Sequence, residues 1–247
     1  MSIAYLGRES LRQLKNMRSM VFTLAVPLVM LIAFGGTFGG HGQVDAVTHL
    51  PWIVVTTIQV AAYGGMMAAL SQAFGIVTER SIGWNRQLRI TPLSGTGYLV
   101  SKLVAALALA LVSIVVIVGV SLVLYHPQLS AGSWMLAALG IWCGVIPFAL
   151  LGILIGQFAK PEFAQPLFMA VFMGMAVLGG LWIPLQIFPV WVANVAKAVP
   201  SYWLNRVGQL GALQSGDALT PALVLAAWTV ALGALVVWRY RRDAARG

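Results

Sequence analysis

Six stretches of this chain run for about twenty residues or more with no charged side chain near the middle, which is the length an α-helix needs to cross the hydrocarbon of a bilayer. They are residues 20–38, 52–76, 99–125, 134–158, 163–183 and 219–238. No soluble fold has a use for so many. Composition agrees: 9% of the 247 residues are charged, against roughly 25% in an ordinary soluble domain. That is too little charge to cover a water-facing surface. The chain is therefore expected to be one all-α membrane unit over residues 1–247, with six transmembrane helices. The second and third runs are long enough to tilt or to project from the bilayer.

The first run has a basic flank, as a secretory signal would. Its apolar core is too long for one and no small-x-small cleavage site follows, so it is expected to be a retained helix. The single cysteine, Cys143, lies inside an apolar run, and no disulfide within the chain is possible.

Lysine and arginine give the orientation. Arg8, Arg12, Lys15 and Arg18 precede the first run. Arg80, Arg86, Arg89 and Lys102 lie between the bodies of the second and third. Lys160 falls between the fourth and fifth, and Arg239, Arg241, Arg242 and Arg246 follow the sixth. Only Lys197 and Arg206, of 15 basic residues, are left for the other side. Basic residues stay in the cytoplasm, so both termini are expected there, with 239–247 a cytoplasmic tail. The charge of +9 then needs no nucleic acid to explain it.

On the opposite side Gly39–His49 and His126–Ser133 read as short polar loops. They hold all three histidines, His41, His49 and His126, as solvated loop residues whose spacing matches no zinc pattern. Residues 184–218 are apolar but broken by Pro184, Pro189 and Pro200, with Trp191, Tyr202 and Trp203 among them and Trp182 just before. Amphipathic rings favour the interface. Short helices lying at the outer surface, or re-entrant ones dipping into it, are expected between spans five and six; irregular backbone at depth is tolerated only when protein or a cavity covers it.

The chain carries no obvious engine. Intramembrane ionisable groups mark proton relays and ion sites, and none lies near the centre of any run. No HExxH, no GxSxG and no GxxxxGK[ST] phosphate loop occurs. Leu93-Ser94-Gly95-Thr96-Gly97 reads as a turn after Pro92. Weaker features remain. Thr56, Gln59, Tyr63 and Met66 share one helical face, and Met169, Phe172, Met173 and Met175 crowd the fifth run. Such side chains can line a path for a hydrophobic substrate or simply pack against helices and lipid. Gly140-x-x-x-Gly144 and Gly152-x-x-x-Gly156 allow close helix approach. Pro27, Pro147 and Pro166 are expected to kink their helices.

Residues 77–98 form the largest internal cytoplasmic loop. Glu79 to Leu88 can be helical, and Pro92 pushes Thr91 toward an extended conformation that stops it. Trp84 and Leu88 can share an apolar face while Arg80, Arg86 and Arg89 supply charge. A topology anchor explains the arginines. A docking element for a cytoplasmic partner also explains Glu79, Gly83, Trp84 and the Thr-Pro stop.

The stretch ERSIGWNRQLRITPLSGTGYLVSK, residues 79–102, resembles the corresponding loop of ABC-2 type transporter permeases. The matching positions are Glu79, Arg80, Gly83, Leu88, Thr91 to Ser94 and Lys102. The Gly-Trp pair and the Arg-Leu-Arg-x-Thr-Pro spacing are most similar to the bacterial drug-export branch, the daunorubicin-resistance permeases. The loop departs from many relatives in being dominated by arginine. The likeness extends to topology: six spans, termini inside and a proline-broken outer segment.

That resemblance implies a permease subunit of an exporter in the bacterial cytoplasmic (inner) membrane, moving a drug-like hydrophobic or amphipathic molecule. It implies a second permease subunit, identical or different, and two copies of a separate cytoplasmic ATPase that would hold ATP and magnesium; this chain would bind no cofactor and no metal and would not itself be an enzyme. The loop becomes a coupling helix through Glu79, Arg80, Gly83, Trp84, Arg86, Leu88, Arg89 and Pro92. Residues 1–19 become an N-terminal interfacial helix, with Arg8, Arg12 and Lys15 on one side and lipid beneath. Thr56, Gln59, Tyr63, Met66, Met169, Phe172 and Met173 become candidates for the substrate path. A secondary transporter or channel would need an ion or proton site; a membrane assembly protein would not need the patterned loop.

Overall fold

The computed structural model describes residues 17–38, 44–45, 48–82, 95–182, 185, 188–214 and 216–244. The chain runs through helices α1 (Met17–Phe38), α2 (Trp52–Leu70), α3 (Gln72–Ser81), α4 (Gly95–Tyr125), α5 (Ala131–Gly144), α6 (Ile146–Phe158), α7 (Pro161–Leu178), α8 (Val190–Ala196), α9 (Pro200–Leu213) and α10 (Leu219–Ala244). Among the described residues, five helical stretches are long and apolar enough to cross a membrane, and Thr23–Thr37 in α1 is a shorter apolar helix.

The bundle is built around α2 and α3. They follow one another with only Ser71 between, so that Trp52–Ser81 is one 30-residue candidate span. Of its apolar window 89% is buried, against 22% for α7 and 22% for α10. A helix that is apolar all round belongs inside, and this one is surrounded by α1, α4, α5, α6, α7 and α9. One buried hydroxyl on it is paired across the bundle. Thr57 Oγ1 donates to Ile53 O at 2.7 Å and meets Ser121 Oγ of α4 at 2.6 Å. Interhelical hydrogen bonds of this kind contribute about 0.6 kcal/mol on average in membrane proteins. Thr57→Val is expected to destabilise by about that much. A double-mutant cycle with Ser121→Ala, read by thermal unfolding in detergent, checks it; additive losses would mean the two hydroxyls are not coupled.

The fourth run is disturbed at its middle, yet Ala131–Phe158 remains one 28-residue candidate span. α5 stops at Gly144, Val145 intervenes and α6 starts with Pro147 in its first turn. Proline has no N–H to offer the carbonyl four residues back, so the helix is interrupted there. Pro27 and Pro166 stay inside α1 and α7. The glycine pairs on either side of the break are at close contacts. A β-carbon on Gly140 or Gly144 would come within 2.6 Å of Val207 or 2.7 Å of Leu204, both on α9. One on Gly152 would lie 2.7 Å from the Leu70 carbonyl oxygen, and one on Gly156 the same distance from Ile76.

Several boundaries differ from expectation: α1 begins at Met17, α3 runs on to Ser81 and so into residues 77–98, α5 begins at Ala131 inside the expected loop, and α10 extends to Ala244. α4 begins at Gly95, four residues early, so Gly95-Thr96-Gly97 is helical and not a turn. α7 ends at Leu178, five residues before the apolar run does, because the chain turns through Gly179 and Gly180, the latter at φ 66°. The segment that follows contains α8 and α9. α9 runs antiparallel along α5, with Leu204 near Gly144 and Gly211 against Ala137. Its own N-terminal end touches the end of α7, where Ser201 meets Gly179. Asp217 then caps α10, accepting from the Leu219 and Thr220 amides at 2.9 and 3.3 Å. The Thr220 hydroxyl and amide, helped by the Leu219 amide, hold the Asp217 carboxyl below its ordinary range.

Candidate functional site

Glu79 lies in the last turn of α3, next to the loop, yet it points inward and is only 5% exposed. Lys102, on the second turn of α4, donates from Nζ to Glu79 Oε1 at 2.6 Å. Tyr98, one turn earlier, donates its hydroxyl to Glu79 Oε2 at 2.7 Å. Each carboxylate oxygen therefore has a donor on α4. Residues 98 and 102 are four apart and so share one face of α4. Lys102 is 1% exposed, with its ammonium 5.4 Å from the centre of the Tyr98 ring. An ion pair this deep needs further hydrogen bonds to offset its desolvation, and the Tyr98 hydroxyl supplies one to the second carboxylate oxygen.

Arg80 turns the other way. Its Nη1 donates to Gly156 O at 3.0 Å and Ala159 O at 3.4 Å. Those carbonyls belong to the end of α6 and the residue just after it, where a helix has no acceptors' partners of its own and where positive charge is favoured. A small apolar cluster of Ile76, Tyr98, Leu99, Ile153 and Val236 packs beside these contacts. Gln157 Nε2 donates to Val236 O at 3.4 Å, and the Arg239 guanidinium lies 4.7 Å from the Phe158 ring centre. One end of the bundle thus joins α3, α4, α6 and α10 through polar contacts, and the helices before and after residues 83–94 meet in it.

Of the loop residues singled out in the sequence, Glu79 and Arg80 are therefore engaged inside the fold. Gly83, Trp84, Arg86, Leu88, Arg89 and Pro92 lie outside the described residues, as do Arg8, Arg12 and Lys15. Tyr98 went unnoticed in the sequence. Its position four residues before Lys102, at the start of a span, was the available signal.

The path candidates separate. Thr56, Tyr63 and Met66 are buried on α2, with Gln59 half-buried. Tyr63 packs on Phe172 of α7 at 4.9 Å between ring centres. Phe172 stacks on Phe168 at 5.7 Å, and Phe168 meets Phe74 of α3 at 4.8 Å. This aromatic ladder joins α2 and α3 to α7. Met173 is half-buried against the core, while Met169 is 42% exposed. His49 and His126 are exposed, at φ 56° and 47°, and no group of three His, Cys, Asp or Glu that could hold a metal comes together among the described residues.

A bundle of apolar spans with a polar knot at one end defines a multi-pass helical membrane protein. Residues 3–209 match the ABC-2 type transporter family, and the chain belongs to it. It is similar to the Bacillus subtilis (strain 168) protein named "Putative transport permease YvfS", with 27% identity over 198 residues, 80% of this chain and 81% of that one. The chain is thus a transmembrane component of a transporter.

Proposed function

We propose that this chain is the permease subunit of an ATP-driven exporter, moving a hydrophobic or amphipathic, drug-like molecule out of a bacterial cell with a separate ATPase as its motor. The observation that carries this reading is that the helices on either side of residues 83–94 are bonded to one another. Glu79 on one side is bonded to Tyr98 and Lys102 on the other, and Arg80 ties the same end to α6. A force applied to the loop would move α3, α4 and α6 as one body, which a mechanical coupling element requires and a passive connector does not.

In this reading Gly83, Trp84, Arg86, Leu88, Arg89 and Pro92 form the surface that meets the ATPase, and residues 1–19 lie along the inner face of the membrane. Both termini are cytoplasmic. Two permease subunits face each other, and Gln59, Met169 and Met173, the path candidates that are not fully enclosed, border the route between them. α8 and α9 form a re-entrant pair: α9 starts level with the break in the fourth run and climbs beside α5 to its outer end.

Affinity purification of the tagged protein in mild detergent tests the motor. A soluble chain bearing a phosphate loop is expected to co-purify in equal amount. Replacing Arg86 and Arg89 with Glu is expected to weaken that association at least about tenfold, because reversed charges at a desolvated interface cost several kcal/mol. Recovery of the protein alone from intact membranes, or a charge-reversed variant that retains the ATPase fully, would defeat the reading.

A further inference from the structure

A cavity of about 740 Å³ lies between the α5–α6 junction, α9 and α10, at the opposite side of α9 from its contact with α7. Nothing in the transport reading uses it. Its wall on α5 and α6 runs from Leu136 to Ile146, and its other wall runs from Ala218, just before α10, to Val230 on it. At about 1.5 Å per residue these walls are about 15 and 18 Å long. That is about half of the roughly 30 Å hydrocarbon thickness, the depth of one leaflet.

The lining is chemically quiet. No charged residue contributes to it. The polar side chains that do are already engaged: Thr229 Oγ1 donates to Leu225 O at 2.8 Å, and Gln214 Nε2 donates to Ser133 Oγ at 2.9 Å. Small residues, Gly140, Gly144, Ala222 and Ala226 among them, make the hollow. Its rim includes Leu136 and Val230, which are 51% and 72% exposed, so it opens sideways from helices long and apolar enough to span. What surrounds such an opening is hydrocarbon, and protein interiors do not leave a space of this size unfilled.

We propose that this cavity is a binding site for one membrane phospholipid, its acyl chains lying along α10 and its headgroup toward Gln214, Gly216 and Ala218. Water is a poor occupant, since a dry apolar cavity offers it no partners. The lipid would fill the wedge between α9 and α10 and hold α9 against α5.

Native mass spectrometry after exchange from phosphatidylethanolamine-containing membranes into detergent tests the site. The wild-type protomer is expected to keep one phospholipid. Ala226→Trp, which fills the cavity from an exposed position on α10, is expected to keep it about tenfold less often, equivalent to about 1.4 kcal/mol of binding. Equal lipid retention by the two proteins, loss of all lipid from the wild type, or a protein dimer that the Trp variant abolishes would overturn the proposal. Cys143 gives a check that needs no variant, being the single cysteine, exposed and in the lining. Its alkylation by N-ethylmaleimide in delipidated protein is expected to slow when phosphatidylethanolamine is added back at constant detergent; an unchanged rate counts against a lipid there. Neither measurement involves the ATPase, so a failure here leaves the transport reading intact, and a failure of that reading leaves this site standing.

Discussion

Glu79→Ala is expected to destabilise the protein by roughly 3–5 kcal/mol, the usual consequence of removing one member of a buried ion pair. The alanine takes away the carboxylate that a 1%-exposed ammonium and a buried phenol both contact. Glu79→Gln is expected to be milder, since an amide oxygen still accepts one hydrogen bond while the charge is lost. Glu79→Leu combined with Lys102→Met is expected to recover most of the loss, because apolar residues of similar volume replace a buried pair at little net cost. Thermal unfolding of the detergent-solubilised protein, followed by size exclusion, measures all three. A melting temperature for Glu79→Ala equal to that of wild type would show that the pair contributes nothing to the fold. The double variant then separates two roles. If it folds yet fails to transport, the charges themselves serve coupling; if it transports normally, the pair is structural.

Gly152→Val is the second large effect, expected at about 3 kcal/mol or more, the upper end for overpacking a core. The atoms a new β-carbon would meet are backbone: Leu70 O at 2.7 Å, Leu70 Cα at 3.0 Å and Ala69 O at 3.1 Å. No rotamer change relieves a clash with main chain, so α6 must move off the end of α2. Small residues at such crossings are what let membrane helices approach at all. Gly174→Val is the control. Nothing lies within 4 Å of its added β-carbon, and it is expected to stay within about 0.5 kcal/mol of wild type. The fraction of monodisperse protein and its melting temperature are the readouts; equal behaviour of the two variants would refute the close packing.

The helices were legible because each long apolar run has one low-energy form in a bilayer, and Pro147 was visible as a disturbance of the fourth. What the sequence could not show was which way side chains turn. Glu79 borders an arginine-rich loop, and the local pattern suggests an outward, partner-facing role. Its inward orientation depends on Tyr98 and Lys102, which lie across that loop and come close only when α3 and α4 pack. The fifth run shows the same limit. Its methionines drew attention, but the buried stripe is Ala164, Phe168, Phe172 and Ala176, at a strict spacing of four residues that was there to be read. Phe168 and Phe74 complete the ladder to Tyr63, and only Tyr63 and Phe172 were picked out beforehand. Gly140 and Gly144 are legible as a close-approach pair, but the cavity beside α10 is not, since its lining comes from three separated segments.

The burial of Trp52–Ser81 has a consequence for biogenesis. Membrane helices are inserted singly and then associate, so until the later helices are made this segment has only α1 beside it and lipid on its remaining sides. Little of its surface faces outward in the finished bundle to keep it favourably placed meanwhile. Its neighbours α4, α5, α6, α7 and α9 are all synthesised after it. The central helix therefore waits for most of its surroundings to be made. A ribosome stalled before residue 95 would leave the second span with α1 alone of the helices that the native protein wraps around it.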